Sequence, residues 1–232
     1  MDFLCDSSRA RIFVNVGDPH SVYMEDSMWV GYYWDEFSSL PPIIPEGPIA
    51  IFGLGGGTAA RLLLHLWPQR ELIGFEIDEL LIEKARKYLG LSELEGENEH
   101  GGGLKIHIGD AFSDANDPDG GFAGIVVDLF SNAEVLPELH EVETWLKLRK
   151  RLKPGGRIMI NFVEKRKLHG DQNKHNILRA MSKAFPGEVN WRKIDRINNK
   201  MAFTGPLPDL QKWSQALPER LQKGTLEWKA FD

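Results

Sequence analysis

The sequence predicts an α/β protein with a doubly wound, mostly parallel sheet of seven strands, a C-terminal antiparallel hairpin and a small N-terminal β extension. Three features of the chain lead to this fold class. Short apolar runs alternate with amphipathic segments from Ile49 onward, several of these runs end in glycine or an acidic residue, and turn-forming residues separate the segments. Strands that alternate with helices form a parallel sheet with helices on both of its faces.

The first two strand–helix units are the clearest. Ile49 to Phe52 is an apolar run that suits a strand buried on both faces. A glycine cluster follows it, and Thr58 is expected to cap the next helix, which Pro68 ends. Glu71 to Glu76 is the second predicted strand, and Asp78 is the predicted cap of the second helix. The first strand therefore leads into glycine and the second ends in an acid.

The remaining units continue the alternation as far as a closing hairpin. The predicted elements are the strand Lys105–Ile108, the strand Phe122–Asp128, a long helix Leu136–Leu152, the strand Arg157–Phe162, a helix over Ile177–Phe185, and a hairpin of Val189–Ile194 with Met201–Thr204. Asn198 and Asn199 supply the hairpin turn. This order predicts a Rossmann-like sheet.

The pattern divides the chain into three parts. Residues 1–48 are expected to form the β extension and a linker, with short strands at Arg11–Val16, Ser21–Met24 and Met28–Tyr33 and a proline-rich run after them. Residues 49–205 are the predicted nucleoside-binding domain, and residues 206–232 are a predicted helical tail.

Composition excludes several classes of protein. The chain has 232 residues, a formal net charge of −6 and a pI of about 5.7, so neither nucleic acid nor an anionic membrane is expected as its main partner. Its one cysteine, Cys5, cannot close an intramolecular disulfide. No signal-peptide pattern or membrane span is recognised, which predicts a cytoplasmic protein. The seven histidines are scattered, so no metal site is expected.

The glycine cluster predicts a ligand-binding loop. Gly53, Gly55 and Gly57 fit the GxGxG loop of S-adenosylmethionine binders, and Gly55, Gly57 and Ala60 equally fit a dinucleotide loop. Glycines there allow a tight turn and let backbone N–H groups approach a ligand at the helix N-terminus. A glycine-rich loop that binds nothing is the third interpretation.

Acidic residues at three predicted strand ends favour the sulfonium nucleoside. Glu76 is placed to accept both ribose hydroxyls, although it could also stabilise the helix dipole. Asp110 could accept from the adenine amine while the Ala111 N–H bonds the ring, unless Asp110 only forms an Asx turn. Asp128, at the expected reversal of strand order, is the candidate catalytic residue, as a general base or as a ligand of the substrate amine.

An aromatic cluster precedes the main domain. Trp29, Tyr32, Tyr33 and Trp34 could wall a substrate pocket, pack on the first helix or form a dimer contact. The sequence leaves these three interpretations open.

The chain resembles the spermidine synthase family within the class I S-adenosylmethionine-dependent methyltransferase fold, from about Val22 to Phe203. The likeness is strongest in IFGLGGGTAA, GFEIDELLIEKARKYLG, IHIGDAF and IVVDLFS. It implies that Glu76-Ile77-Asp78-Glu79 and Gly109-Asp110-Ala111-Phe112 hold the ribose and adenine of the nucleoside, and that Asp128 takes part in group transfer. This chain departs from the family at five positions that usually carry polyamine-binding or acidic residues. The residues found there are Val30, Ser39, Leu40, Thr58 and Ser131.

The resemblance implies a transferase that uses S-adenosylmethionine or its decarboxylated form. Because polyamine groups are missing while nucleoside groups remain, the favoured interpretation is a methyltransferase with an unidentified small-molecule or protein acceptor. The alternatives are an aminopropyltransferase of polyamine synthesis and an inactive, cofactor-binding homologue. A homodimer through the N-terminal β extension is also expected.

Overall fold

The computed structural model describes residues 2–5, 10–15, 18–131, 134–163, 176–195 and 197–232. Its strands are β1 (Asp2–Cys5), β2 (Ala10–Asn15), β3 (Asp18–Met24), β4 (Ile49–Phe52), β5 (Glu71–Glu76), β6 (Gly96–Glu97), β7 (Gly103–Ile108), β8 (Phe122–Val127), β9 (Phe130–Ser131), β10 (Glu134–Val135), β11 (Leu152–Val163), β12 (Val189–Lys193), β13 (Asn199–Thr204) and β14 (Lys229–Ala230). Its α-helices are α1 (Thr58–Leu66), α2 (Glu79–Tyr88), α3 (Val142–Lys150), α4 (Asn176–Ala184), α5 (Leu210–Gln215) and α6 (Glu219–Thr225). Shorter 3-10 helices cover Tyr33–Ser39, Pro41–Ile43, Leu91–Glu93 and Pro137–His140.

The central sheet has the predicted doubly wound topology. Its strand order is β14-β12-β13-β11-β8-β4-β5-β7-β6. The neighbours β11, β8, β4, β5 and β7 pair in parallel, and β13, β12 and β14 continue the sheet antiparallel. Seven strands form the body of the sheet, and the two-residue strands β6 and β14 extend its edges. The Rossmann-like α/β prediction, with its closing hairpin, is therefore confirmed.

Each face of the sheet carries its own apolar core. Alternate residues of a strand point to opposite faces, so Ile49 and Ile51 of β4 join the cluster that contains α1 and α2. Ala50 and Phe52 join the other cluster, with α3 and α4. All four side chains are fully or almost fully buried. The two clusters fix the strands from both sides, and with them the positions of the strand ends.

The N-terminal part forms a small antiparallel sheet, as predicted, but one of its expected strands is wrong. Strands β1, β2 and β3 pair in that order, whereas Met28 to Tyr33 is not a strand and leads into the 3-10 helix Tyr33–Ser39. The carboxylate of Asp35 accepts hydrogen bonds from the N–H groups of Val30 and Gly31. These bonds fold the chain back on itself and take the donors that a strand would need.

Two helix predictions also need correction. The predicted helix Leu136–Leu152 is interrupted, because a 3-10 turn at Pro137–His140 precedes α3. Gly57, with a φ of 85°, is the N-cap residue of α1 in place of Thr58. The predicted cap at Asp78 is confirmed, since its side chain accepts from the N–H of Leu81.

The C-terminal segment packs back onto the main sheet. Trp213 and Trp228 lie against Phe203 of β13, with ring centroids 5.5 and 4.7 Å from it.

The three-part division of the chain stays a prediction. Within the described ranges, no helix is both long enough and apolar enough to cross a membrane.

Candidate functional site

The parallel register brings the predicted site residues to one edge of the sheet. Phe52 lies opposite Phe75 and Val127, and Glu76 lies opposite Ile108, so β4, β5, β7 and β8 end at the same level. The chain moves from β4 outward to β5 and β7, then returns to β8 on the other side. Strand order therefore reverses between β4 and β8, which is where α/β sheets of this kind bind ligands.

The glycine loop, residues 53–57, turns sharply between β4 and α1. Gly53, Gly55 and Gly57 have φ values of 82°, 56° and 85°, a region that residues with a Cβ rarely adopt. A Cβ on Gly53 would overlap the backbone carbonyl of Asp128. Glycine is thus needed both for the turn and for the close approach of the loop to the end of β8.

The backbone N–H groups of the glycine loop are all bonded within the protein. Those of residues 53 and 54 donate to the Phe75 carbonyl and that of residue 57 donates to Leu54. Gly55 donates to the Glu76 carboxylate at 2.9 Å and Gly56 to the Ser21 hydroxyl at 2.6 Å. The protein's own acceptors therefore occupy these N–H groups, and the predicted contact of Gly53, Gly55 and Gly57 with a cofactor stays a prediction.

Glu76 is buried and holds the loop in place. One carboxylate oxygen accepts from Gly55, and the other accepts from the N–H groups of Ile77 and Asp78 at 2.9 and 3.1 Å. A carboxylate has about four acceptor positions, so one remains for a ligand hydroxyl. The predicted ribose contact of Glu76 stays a prediction, and its structural role in the loop is clear.

An apolar surface lies beside Glu76. Ile77 is 75% exposed and Ile108 is 44% exposed, and the Gly109 N–H bonds the Glu76 carbonyl at 2.8 Å, which joins the ends of β5 and β7. Two neighbouring exposed isoleucines at the strand ends offer an apolar surface that suits the flat face of a ring. The sequence placed Ile77 at this site only through the family resemblance.

Asp110 and Ala111 follow β7 on the same edge. Asp110 is exposed and its carboxylate accepts from the Phe112 N–H at 2.9 Å, which is the Asx turn that the sequence offered as an alternative. The carbonyl of Ala111 accepts from the buried guanidinium of Arg151 at 2.6 Å. The turn is thereby fixed from inside the fold, and the predicted adenine contacts of the two residues stay predictions.

Asp128, directly after β8, receives three hydrogen bonds from distant parts of the chain. Its Oδ2 accepts from the Tyr33 hydroxyl at 3.2 Å and from Trp34 Nε1 at 3.0 Å. Its Oδ1 accepts from the Asn161 amide at 2.9 Å. Burial raises the pKa of the Asp128 carboxyl to about 6, although the three donors favour the charged form and oppose the rise. Burial and the neighbouring Asp128 also raise the pKa of Tyr33 well above its usual range.

Two buried asparagines support Asp128. The sequence assigns no role to Asn161 and predicts Asn199 in the hairpin turn, whereas Asn199 is the first residue of β13. Asn161 lies in β11 and is fully buried, and its side-chain oxygen accepts from the Asn199 amide of β13 at 2.8 Å. This bond leaves the Asn161 amide nitrogen directed at Asp128. An amide in the middle of the apolar run RIMINFV was the available signal, because buried polar groups need partners.

The aromatic cluster packs on the first helix and also reaches Asp128. Tyr33 and Trp34 are buried in the same apolar cluster as Ala60 and Leu63 of α1, and their ring centroids lie 4.6 Å apart. Of the three interpretations, packing on α1 is observed, whereas the pocket wall and the dimer contact stay predictions.

Charged pairs anchor the 3-10 helix that carries Tyr33 and Trp34. Asp35 is buried, with Arg220 Nε at 3.7 Å, and burial raises its pKa while the backbone bonds oppose the rise. Glu36 pairs with the buried Arg192 of β12. Trp213 Nε1 donates to the Ser39 carbonyl at 2.7 Å. The acids of this helix are thus paired within the protein.

The positions that depart from the family pattern present no charge at the site. Ser39 and Leu40 are buried, and the Ser39 hydroxyl donates to the Glu36 carbonyl. The Thr58 hydroxyl is shared between the N–H and the carbonyl of Val22, and Ser131 is exposed in β9. Asp128 is the acid that these elements bring to this end of the site.

The donor set fits a sulfonium nucleoside better than a dinucleotide. A pyrophosphate needs free N–H groups at the glycine loop, and all five of that loop are occupied. A nucleoside without phosphate needs a hydroxyl acceptor and an apolar surface, which Glu76, Ile77 and Ile108 can supply. In the part of the chain that the structure describes, no cluster of three His, Cys, Asp or Glu side chains could hold a metal.

Known proteins share this fold and sequence pattern. A probable polyamine aminopropyl transferase of Bifidobacterium longum is 26% identical over 61% of this chain and 30% of its own length. A probable spermidine synthase from Corynebacterium glutamicum has a similar structure, with a TM-score of 0.75, 16% identity, and coverage of 100% of this chain and 86% of the other. Human methyltransferase-like protein 13, solved with SAH, has a TM-score of 0.61 and 20% identity, over 85% and 92% of the two chains.

The share of each chain that is matched decides whether a comparison shows the fold or the family. The chain spans between 30% and 60% of the length of the curated relatives it matches, and the structural likenesses show the fold. The model of the spermine/spermidine synthase domain matches residues 46–194. That span includes the glycine loop, Glu76, Asp128 and Asn161, and it is more than half of the chain. The protein belongs to the spermine/spermidine synthase family.

Proposed function

We propose that this chain transfers an aminopropyl group from decarboxylated S-adenosylmethionine to an amine. Family membership supports a transferase, and the name of the Bifidobacterium longum relative favours aminopropyl over methyl transfer. The observation that carries the proposal is Asp128, whose backbone carbonyl lies against Gly53 and whose carboxylate has three donors bound. One of its about four acceptor positions is therefore left for a substrate N–H.

The nucleoside would be held by the end of the site that follows β4, β5 and β7. Glu76 offers its remaining acceptor position to a ribose hydroxyl, and Ile77 and Ile108 offer an apolar surface to the adenine. Asp110 and Ala111 border that surface. The glycine loop contributes shape, because its N–H groups are already bonded.

The chemistry needs little from the protein beyond alignment and control of one proton. A sulfonium supplies an activated carbon: the amine lone pair forms the new C–N bond, the C–S bond breaks, and the electron pair stays on sulfur as a neutral thioether. The amine must lose a proton to act as a nucleophile. Asp128, with its pKa raised to about 6 by burial, is ionised at neutral pH and can accept that proton as a general base. Tyr33, Trp34 and Asn161 hold the carboxylate in one orientation.

Methyl transfer from S-adenosylmethionine is the second candidate, and two observations favour it. No acid follows the glycines, because Thr58 stands there and its hydroxyl is bonded to Val22. Asp35 and Glu36 are paired with arginines, so a long polycationic acceptor finds few free carboxylates. Burying an unpaired ammonium is costly.

Mass spectrometry of products separates the two candidates. The protein is incubated with putrescine and either decarboxylated S-adenosylmethionine or S-adenosylmethionine. We expect spermidine and 5′-methylthioadenosine with the first donor only. If S-adenosylmethionine instead yields a methylated product together with S-adenosylhomocysteine, the reaction is methyl transfer. If calorimetry detects no binding of 5′-methylthioadenosine or S-adenosylhomocysteine, both candidates fail.

A further inference from the structure

A buried arginine joins three strand ends of the candidate site. Arg151 directly follows α3 and is 7% exposed. The carbon of its guanidinium lies 4.7 Å from the ring centroid of Phe52 and 5.9 Å from that of Phe75. These two residues come directly before the glycine loop and Glu76. Because the same guanidinium bonds the Ala111 carbonyl, one side chain contacts the ends of β4 and β5 and the turn after β7.

The guanidinium of Arg151 holds the loop after β7 at two points. Its Nε and Nη2 donate to the two carboxylate oxygens of Asp117 at 2.7 and 2.6 Å. Its Nη1 donates to the Ala111 carbonyl at 2.6 Å. A guanidinium has five N–H donors in a rigid, planar fork and a face that stacks on aromatic rings, whereas the lysine ammonium is a point charge without such a face. Arginine can therefore clamp this loop and pack on the phenylalanines at the same time.

The clamped turn is the one in which the adenine contacts are predicted. The Ala111 carbonyl is directed to Arg151, and the Asp110 carboxylate accepts from the Phe112 N–H. In the described part of the chain, no acceptor bonds the N–H of Ala111. The predicted acceptor and the predicted donor for adenine thus belong to consecutive residues of one turn. A change in the backbone of this turn would move both of them.

We propose that Arg151 is a positioning residue for adenine, which fixes the turn so that the Asp110 carboxylate and the Ala111 N–H are directed at the base. The inference rests on the proposed function, because that function places an adenine nucleoside at this edge of the sheet. It assigns the choice of base to a side chain that is buried behind the turn. Asp117 shares the role, since a buried guanidinium needs a paired charge.

Two nucleosides that differ only in the base test this role by calorimetry. 5′-Methylthioinosine carries a carbonyl oxygen and a ring N–H where 5′-methylthioadenosine carries an amine and an acceptor nitrogen, so neither predicted contact can form. A site built for a substrate N–H rejects an analogue that lacks it, and we expect the unchanged protein to prefer the adenine nucleoside by about 10- to 100-fold. Arg151→Met keeps the aliphatic stem without the donors and is expected to lower this preference to about threefold or less.

Two further variants separate positioning from folding. Arg151→Met alone leaves the Asp117 charge without its partner, so a double variant, Arg151→Met with Asp117→Leu, removes both charges and is expected to lose the preference in the same way. Arg149→Met is the matched control. Arg149 of α3 also donates to a backbone carbonyl, that of Ala184 at 2.8 Å, and lies over an aromatic ring, that of Phe185. Its loss is expected to lower stability in urea and to leave the preference for adenine unchanged.

The ratio of the two affinities decides the outcome. The inference is overturned if a folded variant without the arginine weakens both nucleosides equally or keeps the preference of the unchanged protein. It is also overturned if the unchanged protein binds the two nucleosides with the same affinity. If the unchanged protein binds neither nucleoside, the proposed function fails instead.

Discussion

The two ends of the candidate site are built in different ways. The nucleoside end is defined by the glycine loop, Glu76, Asp110 and Ala111. There, the Glu76 carboxylate accepts hydrogen bonds from its two following neighbours in the chain and from a residue 21 positions away. The acceptor end is defined by Tyr33, Trp34, Asp128, Asn161 and Asn199. There, the donors that bond the Asp128 carboxylate are 95, 94 and 33 positions away in the sequence. One end is a local backbone motif, and the other is assembled from several elements.

The difference indicates which end of the candidate site follows from local turns and which end depends on tertiary packing. The nucleoside end uses main-chain N–H groups and one buried carboxylate, so its geometry follows from β4, β5 and the turn after each. The acceptor end depends on side chains from the N-terminal 3-10 helix, β11 and β13. Changes in those distant segments can alter the substrate without disturbing the nucleoside end.

The largest expected effect is at Asp128. Asp128→Asn removes the proposed general base and is expected to lower kcat by about 10²- to 10⁴-fold. The affinity for 5′-methylthioadenosine is expected to stay within about threefold, because the nucleoside end is untouched. Steady-state kinetics and calorimetry measure the two quantities. Asp114→Asn, at an exposed acid, is the control. A near-normal kcat would remove Asp128 from the chemistry.

Glu76 is the matching test at the nucleoside end. Glu76→Ala removes the acceptor of three backbone N–H groups, and the affinity for 5′-methylthioadenosine is expected to fall about 100-fold, since bonds to a charged acceptor contribute ~1.5–3 kcal/mol each. Glu76→Gln keeps the size of the side chain and shows whether the loop still folds. Glu79→Ala, at an exposed acid of the same turn, should bind normally. If Glu76→Gln folds and binds as the unchanged protein does, the ribose assignment fails.

Sequence patterns predicted the two ends to different degrees, for a physical reason. Gly53, Gly55, Gly57 and Glu76 were found because a tight turn and a strand-end acid are local features. Asp128 was found for the same reason, as the residue after an apolar strand. Tyr33 and Trp34 stood out only as aromatic residues and Asn161 not at all, because their bonds to Asp128 depend on tertiary packing. The exposed Ile108 looks like an ordinary strand residue in the sequence, and Ile77 was placed at the site only through the family resemblance.

The pH dependence of the reaction tests the asparagine pair. Because the proposed base is the Asp128 carboxylate and burial raises its pKa to about 6, kcat is expected to rise with pH through about 6 and then level off. Asn161 donates to the charged form and so lowers that pKa. Asn161→Ala should therefore move the midpoint to higher pH, and Asn199→Ala should move it less, since Asn199 acts only through Asn161. A loss of kcat with an unmoved midpoint would indicate a purely structural role.

The smallest expected effect concerns the contact between the C-terminal segment and the acceptor end. Trp213→Phe keeps the aromatic packing on Phe203 but removes the N–H that bonds the Ser39 carbonyl at 2.7 Å. A buried acceptor left without its donor costs about 1–3 kcal/mol, and urea unfolding should show a loss of that size. Because Ser39 ends the 3-10 helix that carries Tyr33 and Trp34, the variant should also raise the KM for the amine more than the affinity for 5′-methylthioadenosine falls. Trp191→Phe, at a partly buried indole of β12, is the comparison. An equal loss for amine and nucleoside would mean that the segment stabilises the whole fold, and that the two ends of the site are not independent.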